Sequence, residues 1–564
     1  MLKKRMSFLT IGLLSLCLHG STFGFQSESI AQDSTAIPQD WFLRDPETDK
    51  LQGMSVEKAY TLLTGRPSRT VIVAVIDTGV DFNHEDLKDV MWINEKEIAG
   101  NGIDDDKNGY IDDIYGWNFI GGKSGNVKQD TYELTREYAR LKPKYENVDE
   151  KKVPKKSKEE YQYWLLIKDR YTKAKTENEE NYKSCSAQLT QYKSFNQNLS
   201  DAITLVKTTY KIEKLSPSVV DTIKSTNPKM RFAKYILGVI YENEGREVDI
   251  EKISDELKFI IEHNGEVCDN YKTAMEFGYS LEFNPRNIVG DDYSNSEEKI
   301  YGNNDVKGTV PVHGTHVAGI IAANRKNEIG MKGIADNVKI MAIRAVPNGD
   351  ERDKDIANAI RYAVDNGALV VNMSFGKDYS PQKEVVDKAV RYAESKGVLL
   401  VHGAGNDNDD NDTKPSYPSR NYKDGKEATN WIEVGASAWG ADSTLVAEFS
   451  NYGKKTVDVF APGVKIYSTT PANTYREQDG TSMASPATAG VAALLLSYFP
   501  TLTPSQVREI LRQSTRKFDN LPVRKPGGHE FVHLKDISIS GGLVNAYEAV
   551  KLASTYKANP LEKK

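Results

Sequence analysis

The chain has 564 residues, of which 39% are hydrophobic and 27% charged, and its formal net charge is −6. This composition is typical of a soluble globular protein and excludes a collagen, a membrane bundle or a wholly disordered chain. The length predicts about three to four domains, and the absence of a strong positive charge argues against nucleic acid as a partner.

The N-terminus is typical of an export signal rather than of a cytosolic protein. Lys3–Arg5 precede an apolar run, Phe8–Leu18, which is too short to span a bilayer. Residues 1–24 are therefore predicted to be a signal peptide, and the mature protein is expected in the periplasm, at the cell surface or outside the cell. Cys17 is an alternative site for a lipid anchor, although the large residue before it disfavours lipidation. No later segment has the ~18 uncharged apolar residues of a transmembrane helix.

Two separated parts of the chain alternate short apolar runs with helical patterns. The apolar runs are 71–76, 368–371 and 398–401, and the helical patterns include 356–364, 383–396 and 484–498. Near-continuous β-branched runs are typical of parallel strands that are buried on both faces. The predicted fold class is therefore α/β, with a doubly wound, mostly parallel sheet flanked by helices. Functional residues of such sheets collect at the carboxyl ends of the strands.

The composition changes between residues 126 and 305, where charged residues and tyrosines are frequent and β-branched runs disappear. This change predicts a helical insertion at 126–305 that divides one catalytic domain into 25–125 and 306–564, the second part carrying a C-terminal extension. Apolar residues spaced by three and four predict one long amphipathic helix within Trp164–Tyr210.

Helix boundaries inside the insertion follow from proline and glycine. Pro217 is predicted to begin a helix, and Gly245 and Gly265 are predicted to end helices. Cys185 and Cys268 also lie in the insertion, and the sequence leaves open whether they form a disulfide or remain separate core residues.

Three segments supply an acid, a base and a nucleophile. A buried strand stops at Asp77, His313 begins a helix of small residues, and Ser482 opens another helix. Alone, Asp77 is better explained as a turn cap and Ser482 as a helix N-cap, and only their occurrence together favours catalysis. The residues by themselves do not choose between His313 and His316, which share one helical turn.

The chemistry explains why these three residue types belong together. A free serine hydroxyl is almost wholly protonated, so it needs an imidazole to accept its proton and a buried carboxylate to orient that imidazole. The run Gly403–Asn406 follows another buried strand and presents an amide that can stabilise a tetrahedral oxyanion.

The motifs VIDTG, HGTHVAG and GTSMASP occur in this order, with GAGN between the last two. The order Asp, His, Ser differs from those of chymotrypsin and the α/β-hydrolases. Through these motifs in this order, the chain resembles the subtilisin-like serine proteases, or subtilases, of peptidase family S8. The resemblance implies that Asp77 orients the base, His313 is the general base and acid, Ser482 is the nucleophile and Asn406 donates to the oxyanion. It also implies a structural role for His316.

The resemblance further implies how peptide or protein substrates bind. The residues expected to contact substrate are Ser374, Phe375 and Gly376, which would pair with an extended peptide, and Gly403, Ala404 and Gly405, which would form one wall of the primary specificity pocket. Residues 416–418 would form its far end. The acidic run 407–412 is open to two interpretations, a preference for basic residues or cations and an ordinary solvated loop.

Calcium is the predicted structural cofactor. Asp104, Asp106, Asn108 and Asp112 place oxygen atoms at alternate positions around a glycine turn, although the final glutamate of an EF-hand is missing and an ordinary turn is the alternative. Asp86, together with residues 327–331, resembles the calcium loop of subtilisins, which is one residue longer here.

Asp77 and His313 are separated by 236 positions, whereas the family resemblance implies only a few dozen. The insertion therefore begins after one catalytic strand and ends before the catalytic helix. This position predicts that it forms a lid or a substrate-selecting arm beside the cleft. The predicted function is that of an exported serine endopeptidase acting through an acyl-enzyme. The alternative is a catalytically silent subtilase scaffold that binds a partner through the insertion, but none of the catalytic residues is missing.

Overall fold

The computed structural model describes residues 37–245 and 248–556. The predicted signal peptide, 1–24, and the candidate lipid anchor Cys17 lie outside these residues. Within the described part, no helix combines the length and the apolar character needed to cross a membrane. The contacts of the chain define two compact units: a larger one of residues 38–168 with the described residues from 277 onward, and a smaller one, Asp169–Glu276.

The strands of the described residues are numbered β1 to β15 in chain order. They are Val71–Asp77, Gly116–Asn118, Gly121–Gly122, Gly125–Asn126, Val338–Arg344, Val370–Met373, Leu399–Gly403, Trp431–Ser437, Val459–Pro462, Ile466–Thr470, Thr474–Gln478, Arg516–Lys517, Val523–Arg524, Phe531–Val532 and Gly542–Leu543.

The α-helices of the described residues are numbered α1 to α15 in the same way. They are Pro46–Asp49, Val56–Leu63, Glu133–Tyr145, Lys158–Tyr210, Pro217–Thr222, Pro228–Glu244, Ile250–Thr273, Arg286–Val289, Val312–Ala322, Asp353–Asp365, Lys383–Ser395, Thr481–Tyr498, Pro504–Gln513, Leu534–Ile537 and Ala546–Ala553.

The larger unit is built on a nine-stranded sheet with the order β12-β15-β9-β8-β7-β6-β1-β5-β2. Its neighbouring strands run parallel except for the edge pair β12 and β15. The fold class predicted from the sequence, a mostly parallel doubly wound sheet flanked by helices, is thereby confirmed. Strand β1 lies between β5 and β6, so the chain reverses its direction of strand addition on either side of it, which is where such sheets place their functional residues.

Both faces of the sheet are covered because its central strands are apolar on both sides. Ala74 and Ile76 of β1 contribute to the core that includes helices α10 and α11. Helix α12 contacts strands β1 and β6 to β9 and also packs against α9. All residues of α12 are buried except Ser482, which is only partly exposed. The apolar core thus holds both helices that carry the predicted catalytic motifs.

The smaller unit is helical and contains most of α4 together with α5, α6 and α7. Its own core includes Leu199, Val206, Leu237 and Leu257, which are at most 1% exposed. The predicted long helix is present as Lys158–Tyr210, a single helix of 53 residues.

This helical unit is shorter than the predicted insertion at 126–305. Residues 126–168 and 277–305 group with the larger unit, to which buried ion pairs fasten them: Arg352 pairs with Asp130, and Arg286 pairs with Asp355. The domain boundaries drawn from composition stay a prediction, because a change in composition does not report which unit a segment packs against.

Two of the three predicted helix boundaries are confirmed. A helix begins at Pro217, where the Ser216 hydroxyl accepts a hydrogen bond from the Val219 N–H, and another ends just before Gly245. The predicted end at Gly265 is wrong, since Gly265 lies inside α7. A glycine within a helix costs only about 1 kcal/mol, and the packing of α7 on both sides of this position offsets that cost.

Cys185 of α4 and Cys268 of α7 form a disulfide with a Cα–Cα distance of 5.7 Å. The structure thereby decides a pairing that the sequence left open. The bond joins two helices of the smaller unit across 83 positions of chain.

Removing this disulfide with the double variant Cys185→Ser and Cys268→Ser is expected to lower the free energy of unfolding of the helical unit by about 2–5 kcal/mol, because the bond restricts the unfolded chain. All six tryptophans lie in the larger unit. Urea unfolding followed by tryptophan fluorescence therefore monitors the larger unit, while far-UV circular dichroism also monitors the helical one. Only the second signal should move to lower urea, and an unchanged dichroism curve would contradict the prediction.

Candidate active site

Asp77 is the last residue of β1 and is 1% exposed. Its Oδ1 accepts a hydrogen bond of 2.7 Å from the backbone N–H of Thr78. The carboxylate therefore sits at the carboxyl end of the strand between β5 and β6, at the point where the strand order reverses.

His313 lies in the first turn of α9, and its Nδ1 is 2.8 Å from Asp77 Oδ1 and 3.0 Å from Oδ2. The close approach depends on Gly314, because a Cβ at that position would lie 2.2 Å from the Gly79 carbonyl oxygen. Burial lowers the pKa of the His313 imidazole, but the charge and hydrogen bond of Asp77 raise it more, so the pKa lies above its usual 6.5.

His316, the other histidine of the motif, is fully buried. Its Nε2 donates to the Arg476 carbonyl oxygen at 3.0 Å, and burial lowers the pKa of this imidazole to about 3. A neutral histidine bound to backbone has a structural role, so the geometry selects His313 as the partner of Asp77.

Ser482 is the second residue of α12, and it is the partly exposed residue of an otherwise buried helix. Its hydroxyl donates to the Ser374 carbonyl oxygen at 3.2 Å. Among the described residues, no hydrogen bond joins Ser482 Oγ to His313. Such contacts are often long before substrate binds and tighten in the complex.

The Asn406 side chain is fixed by its oxygen, which accepts from the Thr481 N–H at 2.8 Å and from the Thr481 hydroxyl at 3.0 Å. Its NH₂ group is therefore the part left to donate. A Cβ built on Gly480 would lie 3.6 Å from Asn406 Nδ2, 3.6 Å from Ser482 Cβ and 3.5 Å from the Ser482 backbone nitrogen. Two N–H donors thus converge beside the Ser482 side chain.

The segment Ser374–Gly376 follows strand β6 and is fastened to the helix that carries Ser482. The Ser374 hydroxyl donates to the Ser482 carbonyl oxygen at 2.9 Å and accepts from the Asn372 amide at 3.0 Å. The segment predicted to bind substrate is therefore held beside the candidate nucleophile.

A cavity of about 220 Å³ adjoins Ser482. Of the predicted substrate-contacting and oxyanion residues, those that line it are Ser374, Phe375, Gly376, Gly403, Gly405 and Asn406. Ala404 does not line it, because Ala404 is fully buried and its carbonyl oxygen accepts from the Asn411 amide. Of residues 416–418, which were predicted to form the far end of the pocket, Ser416 lines the cavity.

The acidic run 407–412 divides into two parts in the structure. Asp407 and Asp409 line the cavity. Asp410 and Asp412 make hydrogen bonds to the backbone within and beyond the loop, Asp412 accepting from the Lys455 N–H.

His402 is a buried residue that binds the backbone of Phe375 at the cleft, and it was not among the residues predicted from the sequence. It is fully buried, with Nδ1 2.8 Å from Glu433 Oε1 and Nε2 2.7 Å from the Phe375 carbonyl oxygen. Burial lowers the pKa of His402, but the Glu433 charge raises it more, so the net pKa is raised. The histidine that directly follows the apolar run 398–401 was the signal that could have revealed it.

Lys377 is a second supporting residue that the sequence did not reveal. Its Nζ is buried and lies 2.7 Å from Glu133 Oε2 and 2.8 Å from Asp353 Oδ1. Its backbone N–H and carbonyl oxygen both pair with Tyr417 at 2.9 Å. Lys377 thus joins the segment Ser374–Gly376 to the far wall of the cavity and to α3, the first helix of the predicted insertion. Contacts of such long range leave no pattern in a sequence.

The candidate calcium residues separate into two places. Carboxylate oxygens of Glu97, Asp104 and Asp106 lie within 4.8 Å of one another, and Glu97 was not predicted. Asp112 does not join them, because its carboxylate accepts hydrogen bonds from backbone N–H groups of residues 100–102. Asn108 donates its amide to Asp113 and accepts from the Tyr110 N–H.

Asp86 occupies the second place. Its carboxylate is fully buried and accepts from the Asn327 amide at 2.7 Å and from the Met331 N–H at 3.0 Å. Asp86 and the loop 327–331 are therefore in direct contact.

Comparison with known proteins adds to this geometry. The sequence profile of the subtilase family, Peptidase S8, matches residues 68–529. A thermophilic serine proteinase of Bacillus sp. (strain AK1) is 46% identical over 186 residues, which cover 33% of this chain and 42% of that protein. Subtilisin DY of Bacillus licheniformis is 42% identical over 204 residues, which cover 35% of this chain and 68% of that protein.

Among solved structures, a protease from Pseudoalteromonas arctica is 30% identical, with a TM-score of 0.36, and the match covers 45% of this chain and 74% of that one. The match to the thermophilic proteinase spans less than half of that relative's length. The family profile, by contrast, extends over most of the chain, from β1 past α12. Because that profile matches most of the chain, the chain belongs to the subtilase family.

Proposed function

We propose that the protein is an exported serine endopeptidase that hydrolyses peptide bonds of peptide or protein substrates. The observation that carries this proposal is the hydrogen bond between His313 Nδ1 and buried Asp77 beside a helix opened by Ser482. In a member of the subtilase family, this arrangement supports a triad of Asp77, His313 and Ser482.

In the proposed mechanism, Ser482 Oγ attacks the carbonyl carbon of the scissile bond while His313 Nε2 accepts its proton. Asp77 holds the imidazole in the tautomer with Nδ1–H and stabilises the imidazolium. The oxyanion receives hydrogen bonds from Asn406 Nδ2 and the Ser482 N–H. His313 then protonates the leaving amine, and a water molecule, activated by His313, hydrolyses the acyl-enzyme and releases the free serine.

The test is reaction with a fluorophosphonate probe followed by peptide mapping, together with cleavage of casein. The proposal expects one phosphonylated residue, Ser482, and no labelling of heat-unfolded protein. A folded protein that neither labels nor cleaves casein would favour the scaffold alternative.

Replacing Asn406 by leucine is expected to lower kcat by about 10² to 10³-fold with little change in KM, because the amide donates chiefly to the transition state; this range comes from an oxyanion donor of a related subtilisin. Steady-state kinetics on a peptide substrate measure the effect, and urea unfolding checks for the lost hydrogen bonds to Thr481. Asn520→Leu, an exposed position, is the matched control. A loss confined to KM would argue against the oxyanion role.

We also propose that calcium binds as a structural ion. The carboxylates of Glu97, Asp104 and Asp106 supply the oxygen ligands that a hard cation prefers, and three close negative charges favour a bound cation. Asp86 with the loop 327–331 is the second candidate. Neither place takes part in the chemical steps.

Removing calcium with a chelator is expected to lower the thermal midpoint, because an ion that binds only the folded state stabilises it by about 3 kcal/mol at a hundredfold excess over Kd. Differential scanning calorimetry with and without added calcium measures the shift. The pair Asp104→Asn and Asp106→Asn should abolish it if the ion lies with Glu97, whereas Asp86→Asn should do so if it lies at the second place. A wild-type thermal midpoint that is the same with and without calcium would contradict the proposal.

Export is supported by the charge and hydropathy pattern of residues 1–24. Mass spectrometry of the mature N-terminus would locate the cleavage site and would also distinguish a soluble form from one lipidated at Cys17.

A further inference from the structure

The cavity beside Ser482 carries an excess of negative charge. Its charged lining residues are Asp378, Asp407, Asp409, Lys377 and Lys414. The Lys377 ammonium is already neutralised outside the cavity by Glu133 and Asp353. Three carboxylates therefore face one remaining cation.

That cation shows what the cavity attracts. Lys414 Nζ lies 2.6 Å from Asp409 Oδ2 and 3.5 Å from Asp378 Oδ1. Burial lowers the pKa of Lys414, but its neighbouring carboxylates raise it more. The ammonium is thus held in its charged form at the wall of the cavity.

Asp407 is left without such a partner, since no ion pair or side-chain hydrogen bond of its carboxylate occurs among the described residues. Asp407 is an exposed residue, but the surrounding protein removes enough water from its carboxylate to raise its pKa. The negative charges of Asp378 and Asp409 raise that pKa further, against the opposing effect of Lys414. A cation in addition to Lys414 would therefore stabilise the charged form of the Asp407 carboxylate.

The two aspartates are held in place by the backbone. The N–H groups of Asp407 and Asp409 both donate to Asn451 Oδ1, at 2.9 and 3.0 Å. Asn451 is itself fixed, because its amide donates to Asn411 Oδ1 at 3.1 Å. The loop therefore presents its carboxylates from a defined position next to Asn406.

The rest of the lining offers little to an apolar side chain. Phe375 and Pro415 are the apolar side chains among the lining residues, and the others are glycine, serine, threonine, asparagine or charged residues. A long side chain with an apolar stem and a cationic end matches this surface better than a wholly apolar one.

We propose that this cavity selects substrates with lysine or arginine at the residue whose carbonyl group Ser482 attacks, and that Asp407 is the main determinant of this preference. The inference rests on the proposed peptidase function and adds its substrate class. Lys414 balances part of the negative charge when no basic substrate is present and thereby limits the preference.

The test measures cleavage by the protein of two fluorogenic peptides that differ only at this residue. One has lysine, and the other has norleucine, which keeps the four-carbon stem of lysine but lacks its ammonium group. The lysine peptide is expected to have the higher kcat/KM, by about tenfold, and the ratio should fall as salt is added, since partly exposed charge pairs contribute only severalfold each. Asp407→Asn should lower the ratio about threefold. Lys414→Met should raise it, because a competing cation is removed.

Asp519→Asn is the matched control, since it removes one exposed carboxylate that does not line the cavity and should leave the ratio unchanged. Equal or lower kcat/KM for lysine, or an unchanged ratio in Asp407→Asn, would overturn the inference. Fluorophosphonate labelling, which does not depend on this residue, separates the two failures: a protein that labels but does not prefer lysine refutes only the substrate class, whereas a protein that does not label refutes the peptidase function.

Discussion

Replacing Ser482 by alanine is expected to abolish peptide hydrolysis while leaving the protein folded. The loss in kcat should be about a millionfold, the size of the effect of the corresponding serine in a related subtilisin. The physical reason is that Ser482 supplies the hydroxyl next to the two converging N–H donors, on a helix that packs against the helix of His313. The residual rate would come from the oxyanion donors alone.

The structural cost of this variant should be small, because the Ser482 hydroxyl makes one hydrogen bond of 3.2 Å to the Ser374 carbonyl oxygen. Calorimetry should therefore give a thermal midpoint close to that of the wild type. Ser395→Ala, at an exposed helical position, is the control for the loss of a serine hydroxyl. Substantial casein cleavage by purified Ser482→Ala would show that another residue is the nucleophile.

Replacing Asp77 by asparagine is expected to lower kcat by about ten-thousandfold, because the amide can stabilise the wrong imidazole tautomer and carries no charge to balance the imidazolium. Stopped assays at high enzyme concentration can measure the remaining rate. Asp519→Asn again serves as the control for removing one carboxylate. A loss of less than tenfold would mean that His313 does not depend on Asp77.

The same variant changes the pH dependence in a defined direction. His313 must be neutral to act as the base, and its pKa in the wild type lies above 6.5 because Asp77 outweighs the effect of burial. The acid limb of the kcat/KM profile should therefore lie above pH 6.5 in the wild type. Without the Asp77 charge, burial dominates and the limb should move to lower pH, so an unshifted limb would contradict the assignment of His313.

Much of the fold was predictable because strands and helices are indicated by the spacing of apolar residues that are near one another in the chain. The near-continuous apolar run that ends at Asp77 predicts a strand buried on both faces, and strand β1 has this character. The stripe of residues spaced by three and four predicts the long helix that the structure contains as Lys158–Tyr210. The same local reasoning was wrong at Gly265, where packing on both sides of the residue keeps the helix intact.

The calcium loop illustrates the limit of spacing arguments. Alternating oxygen-bearing residues predicted Asp112 as a ligand, but its left-handed backbone conformation and its bonds to residues 100–102 turn its carboxylate elsewhere. Glu97 comes into the group instead. It lies outside the predicted loop, so the spacing could not indicate it.

The sequence by itself determined which functional groups are available: an acid at the end of a strand, a histidine and a serine that each begin a helix, and an amide at Asn406. These features depend on residues that are neighbours in the chain. Only the tertiary structure decided which of them meet, since Asp77 reaches His313 across 236 positions and Cys185 reaches Cys268 across 83. It also decided the charge of the cavity beside Ser482, because Asp378 and Asp409 are brought to one surface by the packing of separate strands and loops, and packing over such distances leaves no periodic trace in the chain.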